Sequence, residues 1–581
     1  MKVRLKNPKI EENYGEELLH LRGIEDVDTF LHPDSSCLQT YEQLTNIKAG
    51  VELVASLPEN ARVALIVDSD TDGYTSAAIL YQYLTRIQPN WIIDYFLHSG
   101  KGHGLEEHWE TLRDAEIDLL IVPDAGSNDS QYIDEIQIPT LVIDHHILES
   151  EHISKYMTLI NNQMSPQYKN KALSGAGMAY QFCRALDDYY DINRADDYLD
   201  LAALGICSDM MSGLEIENQY FWHDGFKHVK NPFFRELARK QAYSITGSVS
   251  PSDKEIMECL NPTSVAFYIT PLINALIRVG TQWEKEQMFE AFIDGDAFVP
   301  STKRGTKGTM DHRATEVARF CANARNHQNK ILEDAMFQVE QKIFNYDLLN
   351  NKILFVRLDE EDFPSELNGL LAMKLSAKYK HPTIVARLGE DGYIKGSIRG
   401  LNNSELISFK DYLDSTGLCE YVQGHDNAAG ISIIKSNLTA LHDKANQDLA
   451  QFDFKSNYFE VDFARHALDK DLALLVVDLD KYTDCWSQNN PQPLIYVNGL
   501  HITKKDVQIM GKNKDTIKIM RNGVAYMKFF AKELIQQFNE IDGDIKVELV
   551  GKANLNEWNG TVTPQIFIDQ IEVEKDDPLA F

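Results

Sequence analysis

The chain has 581 residues, a formal net charge of −31 and a hydrophobic fraction of 43%, the profile of a globular protein with room for about three to four cores. No run of 18 apolar residues occurs, and the basic start MKVRLKNPKIEENYGEELLH is followed by no apolar segment, so a membrane span and a signal peptide are excluded. Seven widely spaced cysteines without a Cys-x-x-Cys pair exclude a disulfide framework and a thiolate zinc site, and fit reduced thiols in a cytoplasm.

Residues 1–55 are charged and mostly helical in pattern, and read as an N-terminal helical lead-in. From Val63 short apolar runs alternate with amphipathic stretches: VALIVDSD, WIIDYFL, DLLIVPD and PTLVIDHH. Strands separated by helices in this way predict a parallel α/β sheet over residues 56–300, mainly helical beyond residue 170. Residues 301–347 carry a basic segment, STKRGTKGTMDHR, and then the pattern of one long connecting helix. NKILFVRLDE restarts an α/β pattern over residues 348–452. Residues 456–581 are strand-rich, with ALLVVDL, LIYVNGLHI, TIKIM, IKVELVGKANL and PQIFIDQIEV read as strands of a small β-barrel. The average charge points away from a polyanionic ligand, yet between His501 and Lys532 eight Lys and Arg face only Asp506 and Asp515. Such a basic island in an acidic chain fits an anion held locally. The tail EVEKDDPLAF is acidic and closes on an apolar residue, which resembles the tips of bacterial single-strand-binding proteins that dock in basic-rimmed apolar pockets of their partners; the alternative is a frayed, solubilising terminus.

Chemistry concentrates at the predicted strand ends. In DSDTDG, Asp68, Asp70 and Asp72 alternate, so in extended conformation all three share one face and repel one another. A divalent cation with oxygen ligands offsets that cost, and the alternative is an ordinary acidic turn or helix N-cap. Two further strands end in acids, Asp124 in VPDAG and Asp144 in VIDHH, where His145 and His146 follow, and Asp209 lies in GICSDMM. Ligands converging on the carboxyl ends of parallel strands mark the crevice of an α/β sheet. Carboxylates with imidazole suit Mn2+, Mg2+ or Zn2+, the all-oxygen bias of the first cluster favours Mn2+ or Mg2+, and a pair of such ions is what phosphodiester hydrolysis requires.

DSDTDGYTSA, PDAGSND, VIDHH and GICSDMM, in that order, resemble the four signatures of the DHH phosphoesterases. FLHPD, LSGAGMAYQF, IENQYFWHDGF, FYITPLINALIRVGT, KGSIRG, QGHDNAAGISI and ANLNEWNGTVTPQIFIDQI are similar to segments of the RecJ branch, the single-strand-DNA-specific exonucleases. The resemblance implies a parallel-sheet metal lobe, a long connecting helix, a DHH-associated second lobe and a C-terminal OB-fold. It makes Asp68, Asp70, Asp72, Asp124, His145 and Asp209 the metal ligands, with Asp124 bridging both ions. It turns His146 toward the scissile phosphate, with Asp144 orienting a histidine from behind. It assigns Asn274, Arg278, Ser397, Arg399, Gly424 and His425 to substrate phosphates. Departures occur at Gln423 in place of a glycine, Leu276 and Ile277 in place of an Ala-Gly pair, Gln219 in place of an arginine, and His103 in place of a tyrosine.

The expected protein is therefore a monomeric, cytoplasmic, Mn2+- or Mg2+-dependent exonuclease that degrades single-stranded DNA from the 5′ end in recombination, repair or replication. Its partners are single-stranded DNA and single-strand-binding or other replication proteins, with no membrane. A DHH phosphodiesterase of short oligonucleotides or cyclic dinucleotides shares the same metal residues, although it has no use for the basic C-terminal region. A non-catalytic single-strand-binding scaffold would have lost ligands, and here the acids and both histidines are present.

Overall fold

The computed structural model describes residues 1–100, 102–358, 363–401, 404–454, 458–558 and 560–576. The end of the acidic tail, from residue 577, lies outside these. The chain divides into two compact units, one of residues 28–331 with 484–490, the other of residues 1–27, 332–483 and 491–581. Among the described residues no helix is long and apolar enough to cross a membrane.

The N-terminal segment begins not as a helix but as a strand, β1 (Lys2–Leu5), followed by the helix Tyr14–Leu21. The single lead-in expected over residues 1–55 is divided between the two units, with residues 1–27 belonging to the second.

The first unit is built on a wholly parallel five-stranded sheet of β2 (Arg62–Val67), β3 (Ile92–Leu97), β4 (Leu119–Pro123), β5 (Thr140–Asp144) and β6 (Met157–Asn161), in the order β3-β2-β4-β5-β6. The last five residues of β2 and all of β4 and β5 are buried, as near-continuous Val, Ile and Leu runs require when helices cover both faces. The chain reverses its direction of winding between β2 and β4, which opens a crevice at their carboxyl ends. A small hairpin of β7 (Phe298–Pro300) and β8 (Met310–His312) carries the basic segment, and the 33-residue helix Arg313–Asn345 follows.

Among the described residues the second unit holds three further sheets, one of them the two-stranded pair of β1 with a strand described below. One has five strands: β9 (Leu354–Arg357), β10 (Thr383–Leu388), β11 (Tyr393–Arg399), β12 (Tyr421–His425) and β13 (Ala428–Ile434), in the order β12-β13-β11-β10-β9. Next comes β14 (Tyr458–Val461), which pairs in parallel with β1, Lys2 facing Tyr458 and Leu5 facing Val461. The C-terminal sheet is made of β15 (Phe463–His466), β16 (Leu494–Ile502), β17 (Val507–Met510), β18 (Thr516–Arg521), β19 (Val524–Lys528), β20 (Ile545–Trp558) and β21 (Thr561–Lys575). Its order is β15-β16-β20-β21-β19-β18-β17, and among the described residues the edges β15 and β17 are not joined, so the expected barrel is an open one.

ALLVVDL is not one of these strands; it lies in the helix Leu472–Asp480. Leu472, Leu475, Val476 and Leu479 are its buried face, a 3.6-residue spacing that an apolar run this short conceals. The helix Tyr14–Leu21 packs on it: the Tyr14 hydroxyl donates to Asp471 (3.0 Å) and the Gly15 N–H to Asp478 (3.0 Å). Arg465, nearly buried, donates to Asp471 (3.1 Å) and to the Ile10 carbonyl (2.9 Å), and its guanidinium lies over the Tyr14 ring. Residues 1–27 are thus core of the C-terminal unit. Replacing the fully buried Leu18 by Ala is expected to cost that unit about 2–5 kcal/mol. Urea unfolding followed by circular dichroism should then show the C-terminal transition moving to lower denaturant, whereas a free-standing lead-in would leave it in place.

Candidate metal centre

The strand end Val67 leads directly into a turn, and Asp70 is the N-cap of the helix Thr71–Ile87, its carboxylate accepting the Gly73 N–H (2.9 Å). Asp68, Asp70 and Asp72 therefore do not share the face of one extended strand, as their spacing suggested. The turn separates them. Asp68 and Asp70 group with Asp124, all with ligand atoms within 4.8 Å of one another, while Asp72 groups in the same way with His145 and Asp209. A third group, Asp124 with Asp144, His145 and His146, overlaps both.

Each side chain has a distinct support. Asp72 points at the N-terminus of the helix Gly175–Tyr190: the Ser174 hydroxyl (2.8 Å), the Gly175 N–H (2.7 Å) and the Ala176 N–H (3.1 Å) all donate to it. Free amides and the helix dipole make this a natural seat for a carboxylate. Asp144 accepts the Ser127 N–H (3.0 Å), the His145 N–H (2.7 Å) and the His146 ring Nδ1 (2.8 Å). Complete burial opposes ionisation of Asp144, yet the imidazoles and the Ser127 contact hold its carboxyl well below the usual range. In return Asp144 fixes the His146 ring and raises its pKa against the effect of burial, whereas burial lowers that of His145. The Nε2 of His145 lies 3.1 Å from Asp124, 3.5 Å from Asp209 and 4.0 Å from Asp72.

Asp124 is in the left-handed region (φ 61°) directly after β4, a backbone cost that turns its side chain into the crevice. It is almost wholly buried, and its Oδ1 accepts no hydrogen bond among the described residues, although an imidazole nitrogen stands 3.1 Å away. Burial, then repulsion from Asp72, Asp70 and Asp68, pushes the Asp124 pKa well above that of an ordinary carboxyl. Burial with Asp72 and Asp70 raises Asp209 to about 8, and burial with Asp68 and Asp72 raises Asp70 to about 6. A desolvated carboxylate oxygen with no donor, flanked by further carboxylates and an imidazole, has the donor set of a divalent cation site. The residues present therefore fit one ion at Asp68, Asp70 and Asp124 and a second at Asp72, His145 and Asp209.

Some supporting residues were not signalled by the acidic motifs. His103 donates to Asp68 (2.9 Å), as does the Gly104 N–H (3.1 Å), and its ring meets that of His146 edge-on at 4.9 Å. Against the effect of burial, the bond to Asp68 carries His103 up to about 9. The glycine of SGAG is dictated by space: a Cβ at Gly175 would stand 2.4 Å from the Asp124 side chain. A run of small residues opening a helix after DHH is a sequence signal of such close approach.

Asn274 and Arg278 lie on the helix Thr270–Val279, and the Thr71 hydroxyl, between Asp70 and Asp72, donates to Asn274 (2.9 Å). Ser397, Arg399, Gly424 and His425 belong to the other unit and form a group there. Arg399 pairs with Ala428 across β11 and β13, and Ala428 with His425 across β13 and β12. Ser397, Gly430 and Gln423 form the parallel row two residues away. Directly opposed residues share a face, so Ser397, Arg399, His425 and Gln423 project together over the small residues Ala428 and Gly430. Gly424, between Gln423 and His425, has φ 133°, open only to glycine at ease.

Residues 62–206 match the DHH family, N-terminal domain, and residues 475–570 match the RecJ OB domain. A putative SPbeta prophage-derived single-strand DNA-specific exonuclease, YorK of Bacillus subtilis (strain 168), is 36% identical over 569 residues, which cover 96% of this chain and 95% of the relative. The single-stranded-DNA-specific exonuclease RecJ of the same organism is 22% identical over 576 residues, 96% of this chain and 68% of that protein. In fold, the chain is similar to RecJ in complex with Mn2+ from Thermus thermophilus, with a TM-score of 0.72 at 19% identity, covering 99% of this chain and 80% of that one.

The packing of Gly175 on Asp124 gives a test of the centre that does not depend on turnover. In Gly175→Ala the added methyl must displace the Asp124 carboxylate, and Mn2+ affinity measured by calorimetry should fall at least tenfold while the helix content stays that of the parent.

Proposed function

Because this chain belongs to the RecJ-type single-strand-DNA-specific exonucleases of the DHH family, we propose that it removes nucleotides one at a time from single-stranded DNA by metal-dependent phosphodiester hydrolysis. The observation that carries this reading is the pair of ligand groups meeting at Asp124 and His145, on the carboxyl ends of β4 and β5. Two divalent ions bound there supply an activated water and a clamp on the phosphate and its leaving oxygen.

In this reading Asp124 stands between the two groups, Asp68 and Asp70 on one side, Asp72, His145 and Asp209 on the other. Asp144 keeps His146 oriented, with Nδ1 donating inward, so that Nε2 is left to face a phosphate oxygen at the mouth of the crevice. Asn274 and Arg278 flank the same centre from the helix Thr270–Val279, where a guanidinium suits a phosphate in two-pronged fashion. In the second unit Ser397, Arg399, Gly424 and His425 supply a further phosphate-holding face. The hairpin of β17 and β18, with Lys512 and Lys514 at its turn and Lys518 in β18, forms an electrostatic track for the strand. Attack from the 5′ end, action as a monomer in the cytoplasm, and contact with single-strand-binding or other replication proteins complete the proposal; the free cysteines are consistent with that compartment.

The deciding experiment is Mn2+- and Mg2+-dependent release of nucleotides from 5′- and 3′-labelled single-stranded and duplex DNA. Single strands labelled at the 5′ end should lose label first, and duplex should resist. Preference for dinucleotides or cyclic dinucleotides over long strands would overturn the reading. Asp124→Ala should lower the rate by several orders of magnitude at saturating Mn2+, because the first ligand group loses a member and His145, in the second, loses the carboxylate 3.1 Å from its Nε2. Lys512, Lys514 and Lys518 changed together to Gln should flatten the log–log salt dependence of strand binding by about 2, at roughly 0.7 per phosphate contact.

A further inference from the structure

The helix that carries Asn274 and Arg278 is preceded by a π-helical turn, Val265–Ile269. Such turns are rare and concentrate at functional sites, because the extra residue costs packing and re-aims side chains. Here the turn sends two adjacent aromatic side chains outward: Phe267 is 71% exposed and Tyr268 39%. Its backbone is nonetheless firmly held. Val265 and Ile269 are wholly buried, Asn261 and Ser264 close a reciprocal capping box in front of it, and the Cys207 thiol donates to the Pro262 carbonyl (3.2 Å).

Pro271, Asn274 and Arg278 recur at the three- and four-residue spacing of one α-helical face, and Phe267, four residues before Pro271, precedes them by about one turn of the π-helical segment, whose i→i+5 bonding leaves it near the same side. Pro271, Asn274 and Arg278 are all part-exposed, while Leu272, Ile273, Ala275, Leu276 and Ile277 between them are buried. Asn274 in turn bonds Thr71, the residue between Asp70 and Asp72. One stripe therefore runs from the metal centre to an exposed, rigidly mounted phenyl ring. At 1.5 Å per residue the ring lies about 10 Å along the helix from Asn274, roughly the span of three stacked nucleotides. A large apolar ring left in water yields nothing in folding; against an unpaired base it gains a stacking partner of any sequence.

We propose that Phe267 is a stacking platform for a nucleobase of the single strand two to three nucleotides from the scissile bond, so that the strand is gripped before it reaches the ligand groups. The assignment rests on the exonuclease reading given above and names a substrate-positioning residue within it.

The test uses the full-length protein with Mn2+ and oligothymidylates of 2 to 12 nucleotides. In Phe267→Ala, KM for the dodecamer is expected to rise about tenfold. The ratio of kcat/KM for dodecamer over dinucleotide should fall by the same factor, and Phe267→Trp should restore it. In EDTA, where no hydrolysis occurs, the indole introduced by Phe267→Trp should show saturable fluorescence quenching by the oligonucleotide beyond that of the parent. A parental KM in Phe267→Ala, or an equal loss on dinucleotide and dodecamer with no quenching of the introduced indole, would overturn the proposal. Absence of hydrolysis in the parent protein itself would instead overturn the exonuclease reading.

Discussion

Everything at the centre follows from the cost of burying carboxylates together. Asp68, Asp70, Asp72, Asp124, Asp144 and Asp209 converge on one crevice, and a desolvated cluster of like charges is unstable unless each member is answered. Most are answered locally. Asp72 has a helix N-terminus, Asp144 has imidazole and backbone donors, Asp68 has His103 and the Gly104 N–H, and Asp70 has the Gly73 N–H. Asp124 and Asp209 are the two left most strained, and they are the ones whose pKa is driven highest. The protein thus supplies fixed donors for most of the carboxylates and leaves the strain at Asp124 and Asp209, where the donor set fits a divalent cation.

The parallel sheet makes this arrangement possible without extra machinery. Its winding reverses between β2 and β4, so the segments leaving these strands diverge and leave Asp68 and Asp124 facing a gap. The helix Gly175–Tyr190 then enters with three small residues at its start, close enough for its amides to reach Asp72 and for Gly175 to touch Asp124. A side chain larger than hydrogen at that point would push the cluster apart.

Much of this was legible in the sequence, because apolar runs ending in Asp are a strong signal of parallel strands and of what collects at their ends. The alternation of Asp68, Asp70 and Asp72 was legible in a misleading form. Period two suggested a strand, but Gly73 and the following helix former turned the chain after Val67, and Asp70 is an N-cap whose carboxylate still lies within the group formed with Asp68 and Asp124. ALLVVDL failed for a related reason: an apolar run of seven residues shows no period that separates a buried strand from a buried helix. The face shared by Arg399 and His425 was out of reach, since it depends on the register of β12 and β11 against a third strand, β13. The role of residues 1–27 was hidden by distance along the chain, as Lys2 and Tyr458 carry no local mark of their pairing.

That pairing has a consequence for how the molecule is made. At 5–20 residues per second, β14 leaves the ribosome roughly 20–90 s after β1. Throughout that interval β1 is an orphaned edge and the helix Tyr14–Leu21 has no Leu472–Asp480 to cover its apolar side. The parallel sheet, by contrast, is assembled from segments within about a hundred residues of one another and can close while the rest is still being translated. The parallel sheet can therefore close before the C-terminal sheet has all its strands, whereas the unit around it is complete only when residues 484–490 have emerged.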